Sequence, residues 1–205
     1  MRKFLFVISA ISLMISSACS SDDGGSQEDD SSVLVKKIKY MQDDPEGFNY
    51  EVTYVYNGKK LVEGNYDDGG KEKYYYTGDL ITKIEYYEDG DLIEKSLFGY
   101  DSNGRLIEYR SQEFEFNGEE ISSFTYNADG TITETTAIGV VNGSASVIGF
   151  NTLSFEDEEL IKIVQDGYST YVYTYDTKNS PFKNVTGYAA IAYANHGDFE
   201  LYGRN

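Results

Sequence analysis

The chain has 205 residues, 40% hydrophobic, 25% charged and 15% aromatic, with a formal net charge of -18. That length suits one domain, or one domain with a tether. The acid excess argues against a nucleic-acid partner, whose phosphates need Lys and Arg to neutralise them. The single Cys excludes an intrachain disulfide framework and a Cys-based zinc site.

The first element is a leader. Arg2 and Lys3 form a short positive head, and Phe4 to Ile15 is an apolar run. At about a dozen residues this run is too short for a membrane span, which needs roughly 20, but it fits the core of a signal peptide. It ends in Ile15-Ser16-Ser17-Ala18-Cys19, small residues directly before the only Cys. This resembles the lipobox of bacterial lipoproteins. The resemblance implies removal of residues 1–18 and attachment of fatty acid (palmitate or its like) to Cys19, with two or more acyl chains giving a stable anchor. Residues 20–32 contain neither an apolar nor a basic side chain. Such a segment cannot offset its own ordering entropy, so residues 19–32 are expected to form a flexible acidic tether. Acid so close to the lipidated Cys is similar to the surface-export signal of Bacteroidota lipoproteins. That likeness implies display on the outer face of the outer membrane, with its periplasmic face as the alternative.

Residues 33–205 are expected to form a single domain. They repeat one gesture: an aromatic-ended strand, a Gly-containing turn, then another strand. Glycines 58, 78, 90, 104, 118 and 130 mark the turns. Asn57-Gly58, Asn117-Gly118 and Asn142-Gly143 suit two-residue type I′ turns, in which both central residues take positive φ. Ser102-Asn103-Gly104 and Ala128-Asp129-Gly130 suit a type I turn followed by a left-handed glycine. Between turns the side chains alternate. In Leu80–Tyr87 one face carries Leu80, Ile84 and Tyr86, and the other carries Ile81, Lys83, Glu85 and Tyr87. Tyr171, Tyr173 and Tyr175 share a face in the same way. A period of two with β-branched and aromatic residues predicts strands, and short connections predict antiparallel pairing. The fold class is therefore all-β: an antiparallel meander of hairpins, as an open twisted sheet or half-barrel. Two stretches stand apart. Ala137–Phe150 has no charge and is expected to be the most buried hairpin. Tyr188, Ile191 and Ala192 fall at i, i+3 and i+4 in an alanine-rich run, which predicts one short helix near the C-terminus.

Tyr100-Asp101-Ser102-Asn103-Gly104-Arg105-Leu106 is similar to the core of the YD repeat of RHS-type surface proteins, with degenerate copies at Tyr126–Ile132 and Tyr87–Ile93. With the lipobox, acidic linker and late Tyr173–Asn184 segment, the whole chain resembles uncharacterised YD-repeat-like lipoproteins of Bacteroidota. The resemblance implies an extended sheet on a lipid anchor and no established activity.

The chemistry-bearing residues point away from an enzyme. Asp67, Asp68, Glu88, Asp89, Asp91 and Asp129 lie in turns, where solvation explains them, rather than as an acid pair of separated pKa. Glu88–Asp91 and Asp67–Gly70 lack calcium-loop spacing, so no metal or other cofactor is expected. His196 has neither a nucleophile elbow nor a second His around it. The tyrosines could stack on a glycan or other small molecule, although cross-strand packing explains them too. A closed cavity above about 300 Å³ would favour a ligand site. The expectation is a lipid-anchored, non-enzymatic structural or interaction protein with a membrane contact and a protein or glycan partner.

Overall fold

A computed structural model describes residues 33–41, 49–156, 159–175 and 180–194. Cys19, the leader, the tether and His196 lie outside the described residues. Twelve strands follow one another: β1 (Lys37–Tyr40), β2 (Tyr50–Asn57), β3 (Lys60–Tyr66), β4 (Lys71–Thr77), β5 (Leu80–Glu88), β6 (Asp91–Tyr100), β7 (Leu106–Glu113), β8 (Gly118–Tyr126), β9 (Ile132–Val140), β10 (Ala145–Glu156), β11 (Glu159–Gln165) and β12 (Thr170–Val172). One short helix, α1 (Ala189–Ala194), comes last. Each strand pairs antiparallel with the next in chain order, giving a single open sheet with β1 and β12 as its edges. The all-β meander and the short late helix match the sequence reading. Among the described residues, no helix is long and apolar enough to cross a membrane.

The turns follow the glycines, with different chemistry from that expected at three of them. Asn57 pairs with Lys60, so the turn is Gly58-Lys59 with only Gly58 at positive φ (62°), the pattern of a type II′ turn. Asn117 (φ 51°) closes a four-residue loop after Phe114, and Asn142 (φ 58°) turns without help from Gly143. Asp89 (53°) and Gly90 (92°) form the pair with both φ positive. The two three-residue turns are as expected. Gly104 (78°) and Gly130 (87°) are left-handed, and their amides donate to the Asp101 and Asn127 carbonyls at 3.0 and 3.2 Å.

Bulges set the faces. After the turns into β3, β5, β7 and β11 the register slips by one residue: Val62, Thr82, Ile107 and Ile161 have no direct partner. Each bulge brings the preceding Leu61, Ile81, Leu106 or Leu160 onto the same face as the Tyr or Phe it opposes, and these four residues are 0–4% exposed. This corrects the alternation read from Leu80–Tyr87. Ile81, Ile84 and Tyr86 share the inner face, and Lys83, Glu85 and Tyr87 the outer, because the bulge at Thr82 resets the period.

The inner face is covered by the chain's own end. The Phe182 ring sits edge-on to Tyr54 (5.3 Å) and stacks on Tyr188 (4.3 Å), while Tyr193 lies 5.2 Å from Phe155 on β10. A flat sheet would hold β2 and β10 about 38 Å apart, at eight strand spacings. Residues 182–193, of which 189–193 lie in a helix rising ~1.5 Å per residue, touch both strands. The sheet therefore curls around this segment while remaining open. Phe182 and Val185 fill one core cluster with Val52, Tyr54 and Leu61, and Ile191 and Ala194 fill another with Ile81, Leu106, Ile132, Leu153 and Leu160.

The Ala137–Phe150 hairpin is not the most buried. Ile138, Val140, Val147, Ile148 and Phe150 are each about half exposed (48–57%). Residues 180–194 cover the opposite end of the strands, so the uncharged hairpin projects past the core that would have buried it.

Candidate functional site

One end of the strands carries a repeated hydroxyl–carbonyl device. Tyr100 donates to the Ile81 carbonyl (2.6 Å), Tyr126 to that of Leu106 (3.0 Å), and Tyr175 to that of Leu160 (2.6 Å). Tyr56 reaches the Val35 carbonyl at 2.7 Å. Tyr100, Tyr126 and Tyr175 thus each fasten their own strand region to the buried aliphatic residue that opened the previous hairpin. Tyr76 holds the equivalent place after β4, but among the described residues its buried hydroxyl donates to no carbonyl, and only the Leu61 backbone approaches it. These rings face inward and pack, so they are not an open stacking platform.

The YD-like motif has a structural job at each position. Asp101 accepts from the amides of Asn103 and Arg105 (both 2.9 Å) and from Arg105 Nε (2.8 Å), and Arg105 lies over the Tyr126 ring at 4.4 Å. The Arg105 amide first, then its guanidinium, hold the Asp101 carboxyl below its ordinary range. Asp129 does the same work in the next copy, accepting from the Thr131 hydroxyl (2.7 Å) and amide (3.0 Å), which lower its pKa. The copy read at Tyr87–Ile93 is not equivalent. It sits at the opposite end of the strands, and Tyr87 and Leu92 pair on the outer face.

Of the acids read as turn residues, Glu88 and Asp91 instead end β5 and begin β6 as a cross-strand pair, Glu88 half-buried, because the two-residue turn is Asp89-Gly90 alone. Asp67, Asp68, Asp89, Asp91 and Asp129 are exposed, and Asp68 caps the Gly70 amide at 3.1 Å. The carboxylates with unusual surroundings lie on strands, where alternation suggested solvated faces. Glu85, 8% exposed, accepts from Lys83 Nζ (2.6 Å) and from the hydroxyls of Tyr75 (2.7 Å) and Tyr87 (2.9 Å). Burial alone would raise its pKa, but the ammonium and the two hydroxyls outweigh it and bring the carboxyl down to about 2. On the inner face, Glu72 accepts from Tyr66 (2.9 Å) and Tyr74 (2.5 Å), yet burial still pushes its carboxyl up. Glu94 stands opposite Glu113 across β6–β7 and accepts from Ser111 at 3.1 Å. Burial and then the Glu113 charge hold its carboxyl above the usual range. Glu72 and Glu94 are thus both carboxyls that keep a proton more readily than a solvated one, and Glu113, opposite Glu94, is exposed. A paired-carboxylate signal was present in the sequence only as two glutamates whose register no local pattern reveals.

Among the described residues, no three His, Cys, Asp or Glu side chains gather where a metal could bind. A depression of about 240 Å³ opens between β7, β8 and β9, lined by Ser111, Glu113, Glu119, Glu120 and Ile138. It is smaller than the closed cavity that would favour a ligand site. On the outer face Tyr75, 37% exposed, carries the Lys83 ammonium over its ring at 3.8 Å, and Lys73 lies 4.6 Å from the centre of Tyr87. Compared with known proteins, the chain matches no family model, and no curated protein is similar to it.

Proposed function

We propose that this chain is a lipid-anchored, non-enzymatic structural or interaction protein of the outer membrane, tethered through Cys19 and displayed at the cell surface. The observation that carries the interaction reading is the filled inner face. Phe182, Val185, Tyr188 and Ile191 occupy the concavity that a ligand would need, and the tyrosine hydroxyls at that end of the strands are committed to backbone carbonyls. What remains for a partner is the outer face, the sheet edges and the hairpin tips. The leader and lipobox residues, together with the YD-like hairpins, support the anchored-lipoprotein part of the reading.

Fractionation of cells tests the anchor. Cys19→Ala should move the protein from the membrane to the soluble fraction, and retention in the membrane would overturn the anchor. Neutral replacements of Asp22 and Asp23 should lower cleavage by protease added to intact cells, and undiminished cleavage would overturn the export signal.

A second reading, a glycan platform, is favoured by the Tyr75 and Tyr87 rings on the outer face, Tyr75 being 37% exposed, with the Lys73 ammonium beside Tyr87. Retention on an acidic polysaccharide column, abolished by Lys73→Ala, would select it.

A further inference from the structure

The register sorts the charges of the sheet by face. Across β3–β9 it turns Glu72, Glu94, Glu113, Glu120 and Glu134 inward, and no Lys or Arg with them. The cations of these strands lie on the outer face. There Lys83 is bonded to Glu85 at 2.6 Å, and Lys71 stands 3.6 Å from Glu63. Lys73 and Lys95 differ: among the described residues neither has a carboxylate within ion-pair distance. They stand in one cross-strand row on either side of Glu85, Lys73 opposite it on β4 and Lys95 opposite it on β6. Two strand spacings, about 10 Å, separate them. Glu85 between them is 8% exposed and already accepts from Lys83, Tyr75 and Tyr87, so it lies beneath the surface that the ammoniums form. Each ammonium is also placed by a ring, Lys73 at 4.6 Å from the centre of Tyr87 and Lys95 at 5.1 Å from that of Phe114. That placement lowers the ordering cost of an ion-pair partner.

We propose that Lys73 and Lys95 hold two successive carboxylates of a linear acidic polysaccharide that crosses β4–β6 at right angles to the strands. The proposal rests on the glycan-platform reading, and adds to it the charge repeat of the ligand and a second contact point. Spacing argues for this occupant: the distance between the two lysines is close to one disaccharide of an extended chain, so one acid per disaccharide meets both. An extended acidic peptide fits less well. At about 3.3 Å per residue, positions 10 Å apart are three residues apart, and these point to opposite faces. A flat anionic membrane fits less well too. The sheet curls around residues 182–193, which makes the outer face convex, and a plane touches a convex face along one line. The -18 of the whole chain does not forbid an anion here. Fields reach only about 8 Å at physiological salt, and the inward glutamates lie across the sheet.

Calorimetry of the full chain in detergent tests the two-point contact, with hyaluronan oligosaccharides as the probe, because they carry one carboxylate per disaccharide. The tetrasaccharide should bind about fivefold more tightly than the disaccharide, the upper range for one partly exposed ion pair. Lys95→Gln should abolish that advantage, and Lys95→Arg should keep it. Lys39→Gln, also on the outer face but bonded to Glu51 at 3.0 Å, should change nothing. Phosphatidylglycerol vesicles and a polyglutamate peptide should bind no better than the disaccharide. Equal binding of the two oligosaccharides, an advantage that survives Lys95→Gln, or tighter binding of vesicles or peptide than of the tetrasaccharide would each overturn the proposal. The platform reading fails separately. A column that retains the protein through Lys73 while Lys95→Gln has no effect would leave a glycan platform without this span, and no retention would remove both.

Discussion

Tyr100 and Tyr76 occupy equivalent places after successive hairpins and should respond oppositely to loss of the hydroxyl. In Tyr100→Phe the ring still fills its site, but the 2.6 Å bond to the Ile81 carbonyl disappears. A typical intramolecular hydrogen bond contributes about 0.5–1.5 kcal/mol net, and leaving a buried acceptor short of a partner pushes the cost to the upper end. A loss of about 1.5 kcal/mol corresponds to a fall of roughly 3–6 °C in thermal midpoint for a domain of this size. Among the described residues the buried Tyr76 hydroxyl finds no carbonyl to donate to, and only the Leu61 backbone approaches it. Desolvating such a group costs about 1–3 kcal/mol from mutational data, so Tyr76→Phe should leave the midpoint unchanged or raise it by a few degrees. Circular dichroism melts of both variants against the parent decide the matter. An equal fall in the two variants would refute the reasoning, since it would mean that the ring edge, and not the hydroxyl–carbonyl bond, does the fastening.

Stability should peak on the acidic side of neutral. The Glu72 and Glu94 carboxyls are raised in the fold, so their ionisation penalises it, and that penalty lifts as pH falls through their folded values towards the ordinary 4.5. Glu51, Glu85, Asp101 and Asp129 are lowered, so their contribution is complete above the ordinary carboxylate range and drains away as pH falls through their folded values, about 2 for Glu85. Melts between pH 3 and 8 should rise from neutral towards mild acid and then fall, and Glu72→Gln should flatten the rise; a steady decline from pH 7 downward would contradict this. Gly187 takes φ +76°, and a Cβ there would lie 2.6 Å from the Asp79 carbonyl oxygen, so Gly187→Ala should cost left-handed strain of ~1–2 kcal/mol and displace the segment as well. Gly130→Ala, at φ +87° with open space around it, should cost the strain alone; equal losses in chemical denaturation would show that the close approach carries nothing.

Strand, turn and short-helix positions were legible because they rest on local chemistry: alternation, glycine after Asn or Asp, and alanine around Ile191. The faces were less so. The bulge at Thr82 moved Ile81 to the face of Ile84, and no residue at that position announces a bulge. Turn type failed at Asn57-Gly58 because the strands pair one residue later than the dipeptide suggests. The Ala137–Phe150 hairpin was misread for a different reason. Absence of charge says that a segment tolerates burial, but burial requires a neighbour, and the covering segment begins thirty residues after Phe150 and reaches only to Phe155. The carboxylates with altered acidity, Glu72, Glu85 and Glu94, depend on cross-strand partners fixed by register. The repeat was legible at Tyr100–Leu106 and Tyr126–Ile132. Its further members, Tyr56–Leu61, Tyr76–Ile81 and Phe155–Leu160, keep the aromatic and the aliphatic residue but vary the turn between them.

Hydrogen exchange at the chain's own end probes the filled concavity most directly. The Val185 amide donates to the Phe182 carbonyl in the turns before α1, and the Ile191 amide to that of Tyr188 at the start of α1, both at 2.9 Å, and α1 itself has six residues. A helix that short has no stability of its own in water. Slow exchange of the Val185 and Ile191 amides, in step with Ile81 and Leu106 on the sheet, is the predicted result. Exchange at the rate of an unstructured peptide, with the strands still protected, would empty the concavity and remove the basis for an interaction protein over a ligand-binding one.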